Sequence, residues 1–151
     1  MAEETPWEAT LEDMHSMAGE LAADGWETVT IVAGDTTPVS PAVGPDDRFG
    51  IVHVVEGDDA DRLESLVPPN DFTSSEAYVA VAGGVEYAVT VVRDPDARVA
   101  VLLAGAFEYA TAGDCFAAAA EEGRIYTHVQ RLDGTRAAVF EHDDPGLFDP
   151  E

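Results

Sequence analysis

The sequence predicts a single α+β domain, and three observations carry that reading. Residues 76–82, 85–93 and 98–108 read as three consecutive strands joined by tight turns. Stretches near both ends have helical periodicity with start and stop signals. The 151 residues contain no internal repeat, low-complexity tract or linker. The predicted order is αββαβββαββ over residues 1–151, with an antiparallel or mixed sheet built on the three-strand meander and helices packed on it. The same order is compatible with a two-layer arrangement of the kind found in secretion chaperones. A chain of this length buries roughly two-thirds of its unfolded surface, so one core suffices without disulfides or metals.

Thr5-Pro6-Trp7-Glu8 opens the first helix, with threonine as N-cap, proline at the first helical position and glutamate three residues on. Trp7, Leu11, Met14, Ala18 and Leu21 form one apolar stripe, and Gly25 ends it. His15 falls at the edge of the stripe, and Met14 and Met17 read as core. Residues 26–33 alternate as a strand. Gly34-Asp35-Thr36-Thr37-Pro38 then opens a proline-punctuated loop over residues 34–47. Residues 49–55 make a second strand with Phe49, Ile51, His53 and Val55 on one face. Gly57-Asp58-Asp59 caps a short helix whose Ala60, Leu63, Leu66 and Val67 point inward, and Pro68-Pro69 stops it.

In the meander, Val79, Val81, Val85, Tyr87, Val89, Val91, Val99, Val101 and Leu103 suit a pleated surface, while Ala88, Val92, Ala100, Leu102 and Ala104 make the other face apolar too. Gly83-Gly84 suits a two-residue hairpin turn, and Asp94-Pro95-Asp96-Ala97 suits a type I turn. Thr111-Ala112-Gly113-Asp114 offers a capping box for an alanine-rich helix over residues 112–122. A last hairpin, residues 124–131 and 135–141, is expected to turn as type I′ at Asp133-Gly134.

Charge is the strongest compositional signal: 31 acidic residues, seven arginines and no lysine give a formal net charge of −24. Disorder does not follow, because 46% of the residues are hydrophobic and the strand periodicity is regular. High external salt is the better reading, since the screening length at molar ionic strength is only about 3 Å. Without a basic stripe the chain is not expected to bind nucleic acid or a membrane surface. The longest apolar run, Val99 to Phe107, is far below the ~20 residues of a membrane-spanning helix. Met1-Ala2-Glu3-Glu4 opens no signal peptide, so a cytoplasmic location is expected. Cys115, the only cysteine, excludes an intramolecular disulfide and a cysteine-cluster zinc site.

No phosphate loop, dinucleotide fingerprint, nucleophile elbow or paired-histidine zinc helix is present, so no cofactor is implied. A complete fold signal without a catalytic signature favours a non-enzymatic binding or interaction domain with an unidentified protein partner. The alternative is a small enzyme or divalent-metal site using Asp35, His128, His142, Asp143 and Asp144, with Thr37 in the same pocket. The last hairpin would have to present His128 and His142 together, since imidazole and carboxylate suit zinc and related cations. Strands apolar on both faces also predict a homodimer, through the alanine-rich helix or an uncovered sheet face.

The absent lysine, Gly25-Trp26-Glu27-Thr28-Val29-Thr30 followed by Gly34-Asp35, and the closing His142-Asp143-Asp144-Pro145 together resemble a family of small uncharacterised haloarchaeal proteins. The resemblance implies a source and a compartment and carries no catalytic residue onto this chain.

If the acidic excess solvates the surface at the cost of self-repulsion, stability rises steeply with salt. The melting midpoint is expected to climb between about 0.1 M and about 3 M KCl, and equal midpoints at both salts would refute this reading.

Overall fold

The computed structural model describes residues 4–41, 49–67 and 70–150. The described residues form helices α1 (Pro6–Ala23), α2 (Gly57–Leu66) and α3 (Gly113–Glu122). Their strands are β1 (Glu27–Val32), β2 (Asp35–Val39), β3 (Gly50–Val54), β4 (Ser74–Ala82), β5 (Val85–Asp94), β6 (Val99–Glu108), β7 (Ile125–Gln130) and β8 (Arg136–His142). The α+β class and the central meander are as the sequence predicts. Two features differ: the strands divide into two sheets rather than one, and β2 begins inside the stretch read as a loop. Thr36, Thr37 and Val39 favour extended backbone, and Pro38 is tolerated because β2 is an edge strand paired only with β3. Residues 42–47 of the expected loop and the Pro68-Pro69 stop lie outside the described residues.

One sheet has the order β1-β6-β5-β4 and the other β2-β3-β7-β8. Each mixes one parallel pair, β1 with β6 and β3 with β7, into an otherwise antiparallel ladder. Between the sheets, Val29, Ile31, Val92, Val101 and Leu103 meet Val129, Ala138 and Phe140, joined by Val55 and by Ala60 and Leu63 of α2. A second inter-sheet cluster joins Phe49, Ile51, Ala88, Phe107 and Ile125 to Cys115 and Ala119 of α3 and to Phe148. The opposite face of the first sheet is covered by α1, whose Met14 and Ala18 pack on Val89, Val91, Ala100, Leu102 and Ala104. The layers are therefore helix, sheet, sheet.

Local chemistry accounts for the joints. Thr5 Oγ1 accepts from Glu8 N at 3.1 Å, with Pro6 in the first turn, as the capping signal requires. Gly83 and Gly84 both have positive φ, 60° and 81°, which is the type I′ hairpin. The β7–β8 connection differs from expectation. Only Gly134 is left-handed there, and Gly134 N bonds Arg131 O at 2.9 Å, so a type I turn followed by a glycine bulge replaces the type I′ turn. The two later helix caps also differ. The N-cap of α2 is Glu56 and that of α3 is Ala112, neither with a side-chain cap bond, and Thr111 Oγ1 instead donates to Glu108 O within the 3-10 turn Tyr109–Thr111.

Asp94 ties the end of β5. Its carboxylate accepts from the backbone N–H groups of Asp71, Asp96 and Ala97, which hold its pKa below the usual range.

Gly105 sets how closely the sheets approach. A Cβ there would lie 2.4 Å from Thr36 Oγ1 and 2.8 Å from His53 Nδ1. The missing side chain is the space those two residues occupy. Gly105→Ala is therefore expected to destabilise by roughly 1–3 kcal/mol through overpacking, read as a lowered denaturant midpoint. An unchanged midpoint would mean that the sheets separate more freely than this packing requires.

Candidate functional site

Polar groups run through the interior of the sandwich. From the second sheet, Thr36 Oγ1 and His53 Nδ1 are 3.0 Å apart. Thr127 Oγ1 and His142 Nε2 are 2.7 Å apart, and His142 Nδ1 lies 2.7 Å from Ser75 Oγ on β4, so this imidazole links the two sheets. From the first sheet, Glu86, Thr90 and Asp94 are buried on β5. Thr90 Oγ1, both Glu86 carboxyl oxygens and His53 Nε2 have no hydrogen-bond partner among the described residues. The register puts Glu86 and Thr90 two positions to either side of Ala88 on one face. Glu86 is opposite Phe107, Ala88 opposite Gly105 and Thr90 opposite Leu103, and His53 lies over Gly105.

Desolvation decides the protonation of these groups. Burial brings His53 down to about 4, and burial also brings His142 down to about 4 against a small opposing effect of Asp143. Both imidazoles are neutral at pH 7. Glu86 is pushed up to about 8, first by burial and then by the nearby charge of Asp149, so it keeps its proton at neutral pH. Burial likewise pushes Cys115 up to about 11, which leaves a thiol rather than a nucleophilic thiolate.

The residues proposed from sequence do not assemble into one pocket. Asp35 is exposed at the start of β2 and accepts the Thr37 hydroxyl at 3.5 Å. His128 is buried, and its Nε2 donates to Phe49 O at 3.0 Å. His142 pairs with Ile125, whereas His128 pairs with Val139. Opposite residues of an antiparallel pair share a face, and from Ile125 to Val129 each pair joins an odd to an even position, so the two histidines point to opposite faces of the sheet. Asp143 and Asp144 follow His142 at the surface, and Asp144 Oδ1 is bonded to Gly146 N at 3.0 Å. Among the described residues no group of three or more His, Cys, Asp or Glu is arranged to hold a metal ion.

Two clefts remain near candidate chemistry. The smaller, about 200 Å³, is lined by Thr73, Ser75, Glu141, His142, Asp143, Asp144 and Leu147. Ser75 and His142 there have the separation of a nucleophile and base. The surrounding carboxylates, with no arginine among the described lining residues, oppose the negative charge an acyl-transfer transition state develops. The larger, about 540 Å³, opens where β1 ends and α2 begins. Val32, Ala33, Val54, Val55 and Leu132 make its apolar surface, and Asp35, Glu56 and Asp59 line it with carboxylates. Leu132 is 89% exposed, so a large apolar side chain stands free beside the opening.

Sequence reasoning found Asp35 but missed the rest of the larger cleft, because Glu56, Asp59 and Leu132 come together only through the β3–α2 and β7–β8 connections. Glu86 was accessible to the same reasoning. It shares strand parity with Ala88 and Val92, which marks it as facing inward.

A family model described as "Family of unknown function (DUF7529)" matches residues 1–150. No curated protein and no solved structure matches the chain. No helix among the described residues is long and apolar enough to cross a membrane.

The buried groups set a pH optimum for stability. Between about pH 4 and 6.5 the unfolded chain binds protons at His53 and His142 that the folded chain refuses, so stability rises with pH. Between about 4.5 and 8 the folded chain keeps a Glu86 proton that the unfolded chain releases, so stability falls with pH. Two rising contributions exceed one falling contribution up to pH 6.5, above which only the fall remains. Denaturant midpoints at fixed salt are expected to peak near pH 6.5, and Glu86→Gln is expected to flatten the alkaline limb. A wild-type profile still rising from pH 6.5 to 8 would contradict the assignment.

Proposed function

The chain belongs to that family of unknown function, and from this premise we propose that it is a non-enzymatic binding domain for a cationic, partly apolar segment of a protein partner. The observation that carries this reading is the larger cleft. It combines apolar side chains with three carboxylates, and among the described residues its lining has no histidine, cysteine or arginine. Its volume, about 540 Å³, lies within the usual range for ligand pockets. An aliphatic side chain of the partner would cover Val32 and Leu132, and an adjacent guanidinium or ammonium would sit among Asp35, Glu56 and Asp59.

The acidic composition belongs to the same proposal. We place the protein in the cytoplasm of a haloarchaeal cell, where molar salt suppresses long-range attraction and leaves short-range contact to select the partner. Apolar contact then supplies most of the affinity, and the carboxylates supply the preference for a cation.

The test uses a short synthetic peptide with one arginine flanked by leucines, titrated in about 3 M KCl and followed by backbone amide shifts. Perturbed amides are expected at Val32, Gly34 and Leu132. Leu132→Asp should weaken binding about tenfold by removing roughly 1.5 kcal/mol of apolar burial. Asp35→Asn with Asp59→Asn should weaken it only a few-fold, as exposed charge pairs do. Shifts that map elsewhere, or variants that bind like the wild type, would overturn the proposal.

A further inference from the structure

We propose that the protein forms a two-fold homodimer in which strand β4 of one copy adds antiparallel to strand β4 of the other, joining two four-stranded sheets into one of eight strands. The partner is thus a second copy of this chain, and its site is a sheet edge separate from the cleft.

Among the described residues four strands lie at sheet edges, and three of them carry features that discourage further pairing. Pro38 interrupts the hydrogen-bonding edge of β2. The six-residue β1 begins with the charged Glu27. Strand β8 carries Arg136 and Glu141, the latter 3.4 Å from Arg124. Strand β4 has no proline, and its one charged residue, Glu76, lies near its start and is held by Arg93 of β5. It runs nine residues, from Ser74 to Ala82, without proline or lysine, and its register against β5 is uninterrupted from Ser74↔Arg93 to Ala82↔Val85. Its other side pairs with no strand among the described residues, an arrangement that natural proteins usually blunt with charge.

Charge selects this edge for self-association. In a chain with 31 acidic residues, residues 77–85 carry no charge at all, and Tyr78 and Val81 within them are 47% and 42% exposed. Two copies, each with a formal charge of −24, repel one another over most surfaces but can approach here. The only acid on β4 is Glu76, which is already paired with Arg93.

Charge also selects the direction. In parallel pairing Glu76 would face Glu76. In antiparallel pairing about a two-fold axis at Val79, Glu76 faces Ala82 of the second copy, and the two glutamates stand six strand positions, about 20 Å, apart. That is about two screening lengths even at 0.1 M salt. Tyr78 then lies beside Ala80 of the second copy, and Val81 beside its Ala77.

Sedimentation equilibrium on the full chain, at tens of micromolar in about 3 M and about 0.1 M KCl, tests this. The expected result is twice the 16.0 kDa chain mass at high salt and dissociation at low salt. Ala82→Glu places like charges directly opposite at both ends of the pairing and should weaken the dimer about two- to threefold at high salt, where screening leaves only part of the repulsion. Ala82→Arg places opposite charges there and should retain it. Ala82 is exposed beside the turn, so both variants should keep the wild-type circular dichroism. If Ala82→Glu fails to fold, Ala80→Glu on the same face replaces it. Monomer mass for the wild type at high salt overturns the proposal, including the case in which β4 serves a strand of another protein. A dimer unmoved by either glutamate variant, or lost in Ala82→Arg, overturns it equally.

Discussion

Strand β6 is the constraint on which the other parts depend. It is hydrogen-bonded along both edges, to β1 in parallel and to β5 antiparallel, and its first seven residues, 99–105, are buried. One face must therefore match a helix and the other a sheet. Ala100, Leu102 and Ala104 do the first, the two alanines being small enough for α1 to lie close. Val101, Leu103, Gly105 and Phe107 do the second, with glycine placed where Thr36 and His53 cross from the opposite sheet. A larger residue at either kind of position would separate layers whose apolar contact holds the fold together.

The interior keeps His53, His142, Glu86 and Cys115 uncharged near neutral pH, while buried Asp94 keeps its charge on three backbone N–H donors. Four arginines serve the periphery. Arg93 meets Glu76, Arg131 meets Asp61 and Glu64, Arg124 meets Glu141, and Arg98 bonds the Asp24 carbonyl while lying over Trp26. With cations so few, a buried carboxylate is more economically neutralised by retaining its proton than by recruiting a counter-ion, and Glu86 does so. The two buried imidazoles stay neutral for the same physical reason with the opposite sign of titration.

The meander was legible because alternation, tight-turn residues and strand length agree within a span of about thirty residues. The division into two sheets was not, because it depends on parallel pairings between strands far apart in sequence, which leave no local pattern. The short β2 was hidden by Pro38, a residue that argues against a central strand and is silent about an edge. For the site, polar density around Asp35 was a sound clue, but strand parity separates His128 from His142 whatever their chemical suitability. Carboxylate abundance obscured Glu86, whose importance lies in its burial.

The two parallel pairings are interleaved along the chain. The first closes from Glu27 to Val99 and the second from Ile51 to Thr127, so each closure contains one strand of the other. No single cut leaves both sheets intact on separate pieces. During synthesis, β1 waits for β6 and β3 waits for β7, so early strands remain unpaired at these edges until most of the chain has emerged. Assembly is consequently a late, collective event, and fragments or circularly permuted forms opened between β3 and β6 would disrupt both closures at once.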